Sequence, residues 1–348
     1  MRRREFIKGA ACLGAAAIGG LRGRAATKPA LVRAALVHLA SNFWTDLPEP
    51  PDYTWWDRKA HVGYLRTEYA VWREYVDSLA AHGFNMVVVD VGDAVVYPSH
   101  PELALKGSWS VDKLRAELAY LRKLGLEPVP KLNLSATHNT WMKGWRQRMT
   151  TPDYHRFVDD LVRDVADIFD RPRLIHLGMD EETCNHQAVW QNYGLVIVRR
   201  GETWWTDFLK AVESVRKVGA RPWCFSDQMW YEHDLFVRKM PKDVLQCPWG
   251  VLKNDKHPEW LRSIEEMSDL GYEFIADVAT YNRNPDEGCN RSELPFGLDF
   301  CLQDRFRAAL RGFILCPWYM TVSGVPRKKY LDSIAFAAGE FAKRGIGG

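Results

Sequence analysis

Three consecutive carboxylic acids follow a short apolar segment near the middle of the chain. Residues 174–182 have the sequence LIHLGMDEE, so Asp180, Glu181 and Glu182 stand at the carboxyl end of a predicted strand. Two adjacent carboxylates resist joint ionisation, so one can remain a proton donor while the other stays charged. Glycoside hydrolysis uses this division of labour. The alternative interpretation is a solvated acidic loop or helix N-terminus.

Tryptophan is frequent, and many of the 15 Trp residues follow predicted strands. Trp249 and Trp318 each come directly after an apolar strand segment. An indole ring packs against the apolar face of a sugar ring, while nearby carboxylates and amides bind its hydroxyl groups. The pattern therefore predicts a carbohydrate pocket with Trp249 and Trp318 in its walls. Other Trp residues are expected to fill long loops.

Apolar segments alternate with segments of helical period along the chain. The predicted strands are 31–39, 85–91, 127–134, 173–178, 222–226, 244–247, 273–279 and 312–316. The predicted helices are 64–82, 111–124, 152–169, 202–218, 232–239, 259–270 and 328–343. Eight strand–helix units predict an α/β fold with a single (β/α)8 TIM barrel.

The alternative fold is a doubly wound open sheet. Such a sheet places a glycine-rich phosphate-binding turn after its first strand, whereas residues 41–44 have the sequence SNFW. The long segments 42–63, 92–109, 135–151, 180–201 and 281–295 mostly follow strands. In a barrel these segments form the catalytic face.

The segment 176–181, His-Leu-Gly-Met-Asp-Glu, resembles the His-x-Gly-Gly-Asp-Glu signature of glycoside hydrolase family 20, the β-N-acetylhexosaminidases. The resemblance implies that Glu181 is the general acid/base. It implies that Asp180 orients the 2-acetamido group of the substrate, which acts as the nucleophile. Tyr281 would donate a hydrogen bond to the acetamido oxygen, and Trp249 and Trp318 would wall the sugar pocket.

The resemblance extends more weakly to other residues that follow strands, namely Asp93, His138, Asp227 and Trp230. It implies that they bind substrate. The chain also departs from the family pattern, because Met179 replaces the second Gly and residues 37–42, VHLASN, lack the Asp and Arg that commonly end the first strand. Asn42, His38 and Asp93 are then candidates to bind a different sugar, or the same sugar differently.

Three other interpretations remain open from the sequence. A retaining β-glycosidase with a conventional carboxylate nucleophile would use Glu181 as its acid, with Asp227 or Asp277 as the nucleophile. A barrel of this fold can also bind carbohydrate without turnover. Metal-dependent hydrolysis has weaker support, because His38 lacks the second His of a His-x-His pair and Cys184-x-His186 has no partner pair. We predict no metal and no cofactor.

The amino terminus predicts export. Arg3 and Arg4, followed by Glu-Phe-Ile-Lys, resemble a bacterial twin-arginine signal, and the apolar stretch 9–21 is too short to span a membrane. We predict a signal peptide at 1–26 and a catalytic domain at 27–348. The protein would engage the twin-arginine translocase, would then be periplasmic or extracellular, and would have no stable membrane insertion.

Charge and cysteine content limit the remaining possibilities. The chain has 47 Lys and Arg against 44 Asp and Glu, and six of the basic residues lie within 1–26. The rest of the chain is close to neutral, which does not favour nucleic-acid binding. Cys184, Cys289 and Cys301 lie in or near predicted loops and could pair in an oxidising compartment, with the pairing left open.

Overall fold

Eight parallel strands, each rich in buried side chains, close into a barrel. The computed structural model describes residues 31–44, 61–182, 197, 199–252, 257–282, 284 and 286–347. The strands are β1 Val32–His38, β2 Met86–Asp90, β3 Glu127–Lys131, β4 Leu174–His176, β5 Arg221–Phe225, β6 Leu245–Cys247, β7 Phe274–Asp277 and β8 Leu310–Leu315. Each strand pairs with the next, and β8 pairs with β1. The predicted (β/α)8 TIM barrel is confirmed.

Nine α-helices are seen in the described part of the chain, on the connections between strands and after β8. They are α1 Tyr69–Ala81, α2 Val111–Lys123, α3 Pro152–Ile168, α4 Glu202–Lys217, α5 Gln228–Tyr231, α6 His233–Lys239, α7 Pro258–Asp269, α8 Glu293–Cys301 and α9 Val325–Lys343. Ser110 and Thr151 cap α2 and α3 by accepting backbone N–H groups from Lys113 and Tyr154. None of the described helices is long and apolar enough to cross a membrane.

Two helical segments differ from the expectations. The first predicted helix, 64–82, begins only at Tyr69, and Tyr64 instead forms a bridge with Lys106. Helix α8 is not predicted by the sequence pattern, because Pro295 and Gly297 are poor helix formers. Pro295 lies in the first turn, where its missing N–H is tolerated. A Cβ on Gly297 would lie 2.8 Å from the carbonyl oxygen of Val251, so close packing requires glycine there.

Three buried ionisable side chains lie side by side where β1, β2 and β3 end. His38 is in register with Asp90, and Asp90 is in register with Lys131. Lys131 Nζ lies 2.8 Å from Asp90 Oδ2, and His38 Nδ1 lies 3.4 Å from the same oxygen. Burial would raise the pKa of Asp90, but Lys131 and His38 outweigh it and lower that pKa below its ordinary value. These three side chains form a buried ionic cluster at the carboxyl ends of β1, β2 and β3.

Candidate active site

A cavity of about 1120 Å³ opens at the carboxyl ends of the strands. Its aromatic lining comes from five places in the chain, namely Trp44, Phe225, Trp249, Tyr281 and Trp318. Carboxyl groups from β4 and β7 enter the same space. A cavity of this size exceeds what one drug-sized ligand fills and leaves room for more than one sugar unit.

The turn after β4 directs two carboxylates into this cavity. Gly178, Met179 and Glu181 all have positive φ, at 71°, 72° and 59°. A Cβ on Gly178 would lie 2.6 Å from Asn133 Oδ1, so this position requires glycine. Met179 also has the left-handed backbone although it is not glycine, which costs about 1 kcal/mol of conformational free energy. The Glu181 backbone N–H donates to Asp227 Oδ2 at 2.8 Å, which holds the turn.

His138 joins the two carboxylates. Its Nδ1 lies 3.4 Å from Asp180 Oδ2, and its Nε2 lies 3.3 Å from Glu181 Oε2. Burial alone would lower the pKa of His138, but Asp180 and Glu181 outweigh burial and raise it to about 9. The ring is therefore an imidazolium at neutral pH. The hydroxyl groups of Ser135 and Thr137, from the same loop, donate to the Asp180 carbonyl oxygen.

Asp180 and Glu181 differ in exposure. The Asp180 side chain is 7% exposed, whereas that of Glu181 is 22% exposed. A partly exposed carboxyl can exchange protons with a leaving group or water, and a buried one is suited to holding a substrate group in place. The two carboxyl groups therefore differ in their access to the cavity.

Asp227 lies behind this pair and does not enter the cavity lining described. Its Oδ1 accepts the indole N–H of Trp249 at 2.5 Å. Burial, reinforced by the nearby Asp180, raises the pKa of Asp227 well above its ordinary value. Trp249 in turn packs edge-on against Trp230 at 4.7 Å, and Trp230 stacks on Trp260 at 5.3 Å. Asp227 thus positions both a cavity wall and the Glu181 backbone.

Four predicted substrate-binding residues, Asp227 among them, lie outside the described lining. Asn42 Nδ2 donates to Asp93 Oδ2 at 2.9 Å, and both side chains are buried. The Asn42 amide also bonds the backbone of Val62 through both of its ends. Burial raises the pKa of Asp93 to about 7. Asn42 and Asp93 join the loops after β1 and β2, and Trp230 packs against Trp249. Like Asp227, these side chains do not line the described cavity, and their contact with substrate stays a prediction.

His138, Trp249, Tyr281 and Trp318 do line the cavity with Asp180 and Glu181. Most of one wall is built by residues 287–293, from β7 to the start of α8. They belong to the segment 281–295 that the sequence places on the catalytic face, but none of them is predicted as a site residue. This loop is anchored by Asp332 of α9, whose carboxylate pairs with Arg291 and accepts the Cys289 backbone N–H at 2.7 Å. Nothing in the local sequence signals a contact that joins residues more than 40 positions apart.

Glu182, the third acid of the motif, points away from the cavity into a buried ion-pair network. Arg199 binds both carboxylate oxygens of Glu182. The same guanidinium donates to Asp207 Oδ2 at 3.0 Å and to the Leu134 carbonyl oxygen at 2.9 Å. Arg199 therefore ties the end of the β4 turn to α4 and to the loop after β3.

His176 has a structural role in the fold. Its Nδ1 accepts the Gly178 backbone N–H at 3.0 Å, and its ring lies 4.7 Å from the rings of Trp223 and Phe225. Burial holds the pKa of His176 well below its ordinary value, so the ring is neutral. Within the described ranges, no three His, Cys, Asp or Glu side chains are grouped to hold a metal ion. Cys289 and Cys301 are unpaired thiols, and Cys184 lies outside the described residues.

Comparison with solved structures finds the same barrel in proteins of known activity. The GH20 β-N-acetylhexosaminidase from Streptomyces coelicolor A3(2) is 14% identical, with a TM-score of 0.58 over 90% of this chain and 69% of that one. The Streptomyces plicatus N-acetyl-β-hexosaminidase in complex with Thio-NAglucal is 14% identical, with a TM-score of 0.59 over 90% and 68%. At these identities the likeness shows the fold alone.

The exo β-N-acetylglucosaminidase from Vibrio harveyi, solved in complex with N-acetylglucosamine, is 12% identical with a TM-score of 0.55. The match covers 92% of this chain and 59% of the Vibrio chain. No protein-family model matches the sequence, and no curated protein does either.

Proposed function

We propose that this protein is a retaining β-N-acetylhexosaminidase that works by substrate-assisted catalysis. The observation that carries the proposal is that the His138 ring lies between a buried Asp180 and a partly exposed Glu181. All three residues line a cavity with aromatic walls. The barrel it shares with hexosaminidases supports the same interpretation.

In the proposed first step, Glu181 protonates the glycosidic oxygen and the aglycone leaves. The carbonyl oxygen of the substrate's 2-acetamido group bonds to the anomeric carbon, giving a cyclic oxazolinium ion. Asp180 accepts the acetamido N–H, which orients the group and stabilises its developing positive charge. In the second step Glu181 removes a proton from water, and the hydroxide opens the ring with net retention of configuration.

The cavity walls suit such a substrate. Trp249 and Trp318 offer flat faces for the sugar ring, and the Tyr281 hydroxyl is the candidate donor to the acetamido oxygen. His138, as an imidazolium, stabilises negative charge on both carboxylates when Glu181 has given up its proton. The proposed ligand is therefore a glycan that contains 2-acetamido sugars.

A conventional nucleophile finds less support. Asp227 is buried behind Trp249, and burial raises the pKa of Asp277, the carboxyl on β7, to about 8. A carboxyl group that is neutral at working pH is a poor nucleophile. Glu287 and Glu293 also line the cavity, but they belong to the outer loop, where Glu287 is bonded to Asn282 and Asn284.

The test is the substitution Asp180→Asn, assayed on paired aryl β-glycosides that differ only in the 2-acetamido group. We expect kcat on the acetamido substrates to fall roughly 100-fold, because an oriented charge is removed. The matched control is Asp93→Asn, another buried Asp outside the described lining, which should keep most activity. If the Asp180→Asn variant hydrolyses the glycosides that lack the acetamido group well, the enzyme uses a conventional nucleophile instead.

We also propose that the protein is exported by the twin-arginine route to the periplasm or beyond. The support is the sequence of residues 3–8, with the short apolar stretch that follows. The segment lies outside the described residues.

A further inference from the structure

Asp277 is a buried carboxyl group that belongs to the cavity but has no part in the steps proposed above. It is the last residue of β7, it is 6% exposed, and it lines the same cavity as Asp180, Glu181 and Trp318. Its Oδ1 has no hydrogen-bond partner among the described residues. A buried polar atom without a partner is costly, and a ligand that pairs with it recovers that cost.

We propose that Asp277 is a sugar-binding residue of this cavity, where its carboxyl group donates a hydrogen bond to an uncharged oxygen of the bound sugar. The acceptor would be a ring hydroxyl or an amide carbonyl. This inference rests on the proposed function for the identity of the sugar, although the presence of a neutral donor does not depend on turnover.

The surroundings of Asp277 favour its neutral form. The ionisable groups that face it are Asp180 in the turn after β4, Cys247 on β6 and Cys316 directly after β8. Burial is the main cause that raises the pKa of Asp277 to about 8, and Asp180 adds to it. The thiol and backbone N–H of Cys316 act in the opposite direction by hydrogen bonding, but they do not outweigh burial.

The surroundings of Asp277 also limit which sugars can bind beside it. A neutral donor accommodates an uncharged oxygen at low cost. A sugar carboxylate at this depth would face Asp180, and that repulsion disfavours it. Asp180, rather than Asp277 itself, therefore disfavours uronic acids in this part of the cavity.

The experiment compares wild type with Asp277→Leu and Asp277→Asn. Tryptophan fluorescence reports binding of N-acetylglucosamine, because Trp249 and Trp318 line the cavity. We expect Asp277→Leu to weaken binding roughly tenfold at pH 6.5. Asp277→Asn should recover most of that loss, because its amide can donate. The affinity of wild type for N-acetylglucosamine should fall as pH rises through about 8, where Asp277 loses its proton. The Asp277→Asn variant should not show this fall, and its affinity should change only near pH 9, where His138 loses its proton.

A second measurement needs no turnover and no ligand. The infrared difference spectrum of wild type minus Asp277→Asn at pH 6.5 should contain the carbonyl stretch of a neutral carboxyl group. The inference is overturned if that band is absent, or if Asp277→Leu binds N-acetylglucosamine as tightly as wild type. If wild type hydrolyses no acetamido glycoside but shows the band and the loss of binding, the proposed function fails and the Asp277 assignment stands.

Discussion

The Nε2 atom of His138 lies 3.3 Å from Oε2 of Glu181, with the ring buried and the carboxylate partly exposed to the cavity. This contact places a cation beside the proposed general acid/base. It stabilises the ionised form of the carboxylate, which the second step of the reaction needs. The same contact makes the stability of the protein depend on pH.

Loss of the His138 proton should destabilise the fold. The ordinary pKa of a histidine side chain is 6.5, whereas the pKa of His138 in the folded protein is about 9. A raised pKa contributes stability that is fully present below pH 6.5 and is lost as pH rises through 9. The free energy of unfolding of wild type minus that of His138→Gln should therefore be about 3 kcal/mol smaller at pH 9.5 than at pH 6.

Denaturant unfolding of both proteins at the two pH values measures this difference. All other groups titrate in both proteins, so the subtraction isolates His138. A difference that does not change with pH would mean that His138 is not protonated in the folded state.

Gly178 should be intolerant of any side chain. Its φ is 71°, and a Cβ would meet Asn133 Oδ1 at 2.6 Å. We expect Gly178→Ala to lower the free energy of unfolding by at least about 2 kcal/mol and to displace the carboxylates that follow. The matched control is Gly339→Ala in α9, where nothing lies within 4 Å of the added Cβ. The control should be neutral or stabilising by up to ~1 kcal/mol, since alanine favours helix. Equal effects on thermal unfolding would contradict the packing argument.

Trp249 should contribute to substrate binding through both its face and its N–H. Trp249→Phe keeps an aromatic ring but leaves Asp227 Oδ1 without its donor. We expect KM for an aryl N-acetyl-β-glucosaminide to rise roughly tenfold. Trp230→Phe is the matched control, because Trp230 donates to Ser263 Oγ and stands outside the described lining. Similar KM values for the two variants would remove Trp249 from the sugar-binding wall.

Export should depend on the arginine pair. Replacing Arg3 and Arg4 by Lys preserves charge but removes the pair that the twin-arginine translocase recognises, so the precursor should accumulate in the cytoplasm. Replacing Arg22 and Arg24 by Lys is the control, since these arginines lie outside the motif. Cell fractionation in a bacterium with that translocase measures the outcome. Normal export of the Arg3 and Arg4 variant would exclude this route.

The barrel was predictable because its strands are short apolar runs that alternate with segments of helical period. Each of these runs becomes buried when the sheet closes into a barrel. Helix α8 was not, because local propensity around Pro295 and Gly297 opposes a helix that tertiary packing stabilises. Such contacts leave no periodic signal in the sequence.

The candidate site was predictable only in part, for a related reason. Asp180 and Glu181 stand in one motif, and strand ends meet on one face of a barrel. Asn42 and Asp93 also follow strands, yet they bond to each other away from the described lining. The sequence suggests Asp277 only as an alternative nucleophile, because the effect of burial on its pKa cannot be inferred from residue type.

The most direct test of the central claim is hydrolysis of aryl β-glycosides, with and without a 2-acetamido group, by the protein and its Glu181→Gln variant. We expect turnover of the acetamido substrates only, with kcat at least roughly 100-fold lower in the variant for substrates whose leaving group needs protonation. Turnover of plain glycosides, or acetamido turnover that survives the substitution, would contradict substrate-assisted catalysis with Glu181 as the acid/base.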